Sequence, residues 1–189
     1  MKYFFVWLIA MAPTLVIGQD ISIKMKEIPS GSWIVMKEGD KTTITVFRGQ
    51  QGQLFVYDHI TGTDPNAKRN FRDLRDAQGN QIERRFINGR IVKFRPHNCQ
   101  RTVGECAFVE SGADNSGTAY QTQMRRINTP TRNGFKFEQF AIGSDGNQVH
   151  IRSGTVNGLD AKGMIERATQ KFGPDKKTTR FSKIKASWD

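Results

Sequence analysis

Three histidines, His59, His97 and His150, are the side chains of this 189-residue chain whose ordinary titration falls near neutrality. With Glu83 or Glu138 and the arginines around them, they are the ingredients of a metal-free ribonuclease: a general base, a general acid and a cation for phosphate. His97 stands out because Arg95-Pro96-His97-Asn98 leads directly into a cysteine pair. The plainer reading of each histidine is a solvent-facing strand residue. The chain contains no Gly-x-Ser-x-Gly turn, phosphate-cradling glycine loop, His-Glu-x-x-His pair or Cys-x-x-Cys pair. Asp114-Asn115-Ser116-Gly117 and Asp145-Gly146-Asn147 resemble pieces of calcium loops but lack the ligand spacing, so they read as turns. No metal and no cofactor is expected.

Charge is the stronger functional clue. Lysine and arginine number 29 against 18 acidic residues, for a net charge of +11. The excess is concentrated. Residues 63–98 carry nine basic side chains (Lys68, Arg69, Arg72, Arg75, Arg84, Arg85, Arg90, Lys93, Arg95) against four acids. Residues 162–189 carry eight, among them Lys176, Lys177 and Arg180, against three acids. An arginine fork grips phosphate or carboxylate through two oxygens at once, whereas lysine supplies less directional charge. If the two segments meet in the fold, they build a basic face able to steer an anionic ligand or an acidic partner protein. Otherwise they are solvated strand positions that protect edges and solubility.

The first eighteen residues belong to export. Lys2, an apolar run from Tyr3 to Ala12, and Leu15-Val16-Ile17-Gly18 ahead of Gln19 form a secretory signal, read as cleaved. The run is short of the roughly 20 residues a spanning helix needs, so no integral membrane segment is expected after cleavage. The mature unit is residues 19–189, a single β-rich domain in the periplasm or outside the cell. In that oxidising setting Cys99 and Cys106 read as a local disulfide worth roughly 2.5 kcal/mol.

The elements that must position these groups are strands. The mature segment has fourteen Ile and eleven Phe but only three Leu and nine Ala, a composition suited to pleated sheets and poor for helices. Ile21, Ile23 and Met25 alternate with polar residues, as do Val149 and Ile151. Asn88-Gly89, Asn133-Gly134 and Asn157-Gly158 supply tight turns. The pattern predicts strands near 20–28, 32–38, 42–48, 53–60, 70–76, 81–87, 90–96, 119–127, 134–142 and 147–156, with a last one at 178–186. Short turns imply an antiparallel meander, closed as a barrel or folded as a two-sheet sandwich. Helical spacing of Ala161, Met164, Ile165, Ala168 and Phe172 behind an Asp160 cap predicts one C-terminal helix, with a strand over 164–172 as the alternative. Gly31-Ser32-Trp33 is similar to the Gly-x-Trp of lipocalins, whose barrels hold apolar ligands; no second lipocalin motif accompanies it, and the family is not assigned.

The reading that follows is an exported, non-enzymatic binding protein with a basic face for an anionic ligand such as polysaccharide, lipid headgroup, nucleic acid or acidic protein. Its alternatives are the ribonuclease and a barrel whose Phe-rich strands line an apolar site. Oligomeric state is not legible.

Overall fold

The computed structural model of the protein describes residues 24–173 and 177–189. Twelve strands follow one another: β1 (Trp33–Glu38), β2 (Lys41–Gln51), β3 (Leu54–Thr61), β4 (Phe71–Arg75), β5 (Gln81–Phe86), β6 (Ile91–Arg95), β7 (Gly104–Ala113), β8 (Ala119–Thr131), β9 (Gly134–Ile142), β10 (Gln148–Val156), β11 (Arg167–Phe172) and β12 (Thr179–Ala186). Each pairs antiparallel with its neighbour in sequence, and β12 pairs with β1 to close a barrel. Closure removes the edges that an open meander would expose. Of the two architectures the alternation allows, the barrel is the one formed.

The predicted C-terminal helix is not formed. Asp160 Oδ1 does accept the backbone N–H groups of Lys162 and Met164, at 2.9 Å each, but these belong to a turn in which Gly163 takes a φ of 75°. Residues 167–172 then run as β11 between β10 and β12. A helix there would leave both neighbours with unpaired edges, and those ladder hydrogen bonds outweigh the helical spacing. The predicted strand at 20–28 differs as well. Its described part folds as a 3-10 turn, Met25–Glu27, whose Met25 and Ile28 pack on Phe47, Phe55 and Tyr57. The signal segment 1–18 lies outside the described residues.

The barrel's ends are unlike. The N-terminal 3-10 turn, the connections 96–103 and 157–166, and the C-terminal Trp188 all belong to one end. There they bury Met25, Ile28 and Cys99 and pack Met164 and Trp188 against the core. At the other end most described connections are short turns. The longest of them, 62–70, folds outward: Pro65 carbonyl accepts from Arg48 at 2.8 Å, and Ala67 covers Val35, Ile44, Val46 and Ile60. Among the described residues no helix is long and apolar enough to cross a membrane.

Strand crossings need glycine where backbone meets backbone. A Cβ on Gly134 would collide with the carbonyl of Val156 on the neighbouring strand, and that atom cannot swing away. Gly134→Ala is expected to lower stability by about 1–3 kcal/mol, seen as a lower urea midpoint with an unchanged slope; an unchanged midpoint would show that the strands separate freely there.

A cationic chamber inside the barrel

Alternation sends every second side chain into the lumen, and the inward set is unusually charged. On one wall, Tyr57, Asp73 and Arg84 stand opposite one another across β3, β4 and β5. Asp73 is fully buried. Its Oδ1 accepts Arg84 Nε at 2.8 Å and Gln81 Nε2 at 2.8 Å. Its Oδ2 accepts Arg84 Nη2 at 3.1 Å and Arg75 Nη2 at 3.3 Å, and lies 3.0 Å from His59 Nε2. Burial works against the charged carboxylate, but His59 and Arg84 override it and hold its pKa far below the usual carboxylate range. One carboxylate thus organises three basic groups. The wall continues as a ladder of rings and cations: His59 stacks on Phe71 at 4.4 Å, Arg84 lies 4.0 Å over Phe71, and Arg90 lies 4.0 Å over Phe86.

The opposite wall has cations without that compensation. Arg126, Gln139 and Arg152 occupy one rung across β8, β9 and β10. Both guanidinium groups donate to the same neutral oxygen, Gln139 Oε1, Arg126 Nη1 at 3.3 Å and Arg152 Nε at 3.0 Å. Arg126 also donates to Asn128 Oδ1 at 2.9 Å and stacks 4.3 Å over Phe137. Among the described residues neither forms an ion pair with a carboxylate. Burial, with Arg152 and Arg101 nearby, pushes the Arg126 pKa down to about 9. Burial and Arg84 lower that of Arg152 too, while Glu110 opposes the shift. At neutral pH both remain charged, and their field is only partly cancelled.

The disulfide serves this chamber. Cys99 and Cys106 are bonded, and Asn128 Nδ2 donates to the carbonyls of Cys99 at 2.9 Å and Thr102 at 2.7 Å. Between those tethers, Gln100 reaches Gln81 Oε1 at 3.2 Å, and Gln100 and Arg101 line the cavity. That cavity measures about 350 Å3 and is bounded by Arg75, Arg84, Arg101, Arg126 and Arg152 together with Phe135, Phe137 and Phe181.

Of the residues singled out in the sequence, Arg75 and Arg84 face this chamber and His59 borders it. The rest do not converge. Arg72 pairs with Asp58 on the outer wall at 2.7 Å, Arg85 pairs with Glu83 there, and Arg69, Arg95, Lys177 and Arg180 are exposed. Arg90 binds Asn115 Oδ1 at the rim, and Lys176 lies outside the described residues. The two basic segments are not neighbours. Three strands separate β4 from β12 one way round and four separate β6 from β11 the other. The histidines are also dispersed: His97 is exposed, 3.5 Å from Asp76 Oδ2, and His150 packs edge-on against Phe140. Glu138 is exposed on the outer side of β9. Asp73, Arg101, Arg126, Gln139 and Arg152 were not legible as a site.

The fold and chamber define the class: an up-and-down β-barrel with a cationic interior. No protein-family model and no curated protein matches the chain. The crystal structure of the hypothetical lipoprotein YmcC from Escherichia coli K12 is similar over 85% of this chain and 86% of that one, at 9% identity and a TM-score of 0.49.

Because Asp73 has a depressed pKa in the folded state, its stabilisation is present above the unfolded value near 4 and is lost progressively as pH falls below it. Asp73→Asn is expected to cost about 3–5 kcal/mol at pH 7, since it strands Arg84 and Arg75. The variant should also lose much of the wild type's acid-dependent destabilisation below about pH 4; equal pH slopes in urea titrations would show that Asp73 does not govern the interior.

Proposed function

We propose that the protein is an exported, non-enzymatic binding protein that holds a small anion in its barrel. The observation that carries this reading is the rung in which Arg126 and Arg152 share one neutral oxygen inside a cavity, with no carboxylate among the described residues paired to either. Burying guanidinium groups is costly unless something neutralises them. Here an anion with two or more oxygens matches the planar forks and would recover that cost on binding. Arg75, Arg84 and Arg101 add to the field from the facing wall and the stapled connection. Export rests on the apolar leader of residues 2–18 and fits a disulfide that persists in an oxidising compartment.

The test is thermal unfolding of the oxidised mature protein with inorganic phosphate, at constant ionic strength against chloride. A ligand at a hundredfold excess over Kd adds about 2.7 kcal/mol of stability, so Tm is expected to rise by several degrees. Arg126→Gln and Arg152→Gln should each abolish the rise. A phosphate effect that survives in both variants would place the anion elsewhere, on the outer arginines.

A further inference from the structure

The cationic chamber has a neighbour of different chemistry. A second cavity of about 150 Å3 is lined by Ile34, Met36, Tyr57, Met164 and Ile165, and it shares Met36, His59, Arg75, Arg101 and Ile165 with the first. It lies toward the plugged end, where Tyr57 and Met164 pack on the Met25–Ile28 turn. Three of its polar residues, Tyr57, His59 and Arg75, are already directed at other groups. Tyr57 donates its hydroxyl to Met25 Sδ at 3.2 Å, and burial pushes its pKa up to about 12, so it presents a ring and not a phenolate. His59 Nδ1 is bonded to Thr45 Oγ1 at 3.1 Å and Nε2 faces Asp73. Arg75 is bonded to Asp73 and to the carbonyl of Gly79, with its guanidinium 5.7 Å over the Tyr57 ring.

Beside the Arg101 it shares with the first chamber, what this second chamber offers a ligand is therefore apolar surface from two isoleucines, two methionines and a tyrosine ring. Methionine side chains are adaptable and accept apolar groups of varied shape. The shared residues make the two chambers one bipartite space: under-compensated charge in the middle of the barrel, apolar lining toward its closed end. A bare inorganic ion would use only the first half.

Resting on the anion-binding reading above, we propose that the ligand is a small amphipathic organic anion. Its head, a carboxylate or phosphate, meets the Arg126–Gln139–Arg152 rung, and its short alkyl or aryl body enters the chamber formed by Ile34, Met36, Tyr57, Met164 and Ile165. The chamber lining then acts as the specificity element, because it rewards apolar length up to its own size and no further.

The experiment is isothermal titration of the oxidised mature protein with matched pairs, acetate against octanoate and inorganic phosphate against octyl phosphate, plus octanol. The alkyl member of at least one pair is expected to bind at least tenfold tighter than its head alone, and that pair identifies the head. Intermediate chain lengths should gain roughly fourfold per methylene until the chamber is full. Octanol should bind far more weakly than octanoate. Met164→Phe, which narrows the chamber, should erase the alkyl advantage and leave acetate and phosphate binding unchanged; the length series in the wild type tests the same point without a variant. Heads that bind through Arg126 and Arg152 with no alkyl advantage would overturn the bipartite ligand and leave the anion site standing. No binding by any anion would overturn the anion site as well. Octanol binding as tightly as octanoate, unaffected by Arg152→Gln, would overturn the role of the charged head.

Discussion

The interior of this barrel depends on Asp73. A closed sheet must decide what fills its lumen, and here one wall is filled by a carboxylate with no exposure that holds Arg84, Arg75, Gln81 and His59 around itself. Two arginines and an imidazole on one acid leave that wall net positive. Even so, both of these guanidinium groups have an anionic partner in Asp73, so their charge is partly cancelled within the fold.

Arg126 and Arg152 face that wall on different terms. Their shared acceptor is an amide oxygen, and the second partner of Arg126 is an amide as well. Hydrogen bonds satisfy their donors without cancelling their charge, so burial and neighbouring arginines depress both pKa values, whereas Arg84 is bonded to a carboxylate. The contrast between the two walls separates arginines bonded to a carboxylate from arginines bonded to amides more sharply than a count of positive residues could.

The strand frame was largely legible because Ile, Val and Phe alternate with polar residues between glycine turns, and ten of the predicted strands fall on observed ones with their centres nearly unchanged. β7 was missed because Ala107, Ser111, Gly112 and Ala113 dilute its apolar pattern. The chamber was hidden for a more specific reason. Val149 and Ile151 look like the buried face of β10, yet they are 59% and 37% exposed. A bulge between His150 and Arg152 shifts the phase, so that Arg152 points inward where alternation alone had placed it outside. On β8 the adjacent Arg125 and Arg126 split between the two faces, one pairing with Glu105 outside and the other buried, and nothing in the dipeptide says which is which. The charge excess was visible, but three of the five arginines lining the chamber, Arg101, Arg126 and Arg152, come from residues 101–152, a stretch whose overall balance is near neutral.

The stapled connection links these features. Residues 96–103 could have covered the end of the barrel as a surface loop, leaving Arg101 in solvent. Instead Cys99 is 2% exposed in a core with Phe108 and Met124, and Asn128 ties the segment down two residues beyond Arg126 on the same strand. The same strand therefore supplies a charge to the chamber and the anchor for the segment that brings in another. With its disulfide closed, the segment has little freedom to withdraw Arg101 from the cavity wall. The staple and the Asn128 tethers thus keep in the cavity wall an arginine that an untethered loop would leave at the surface.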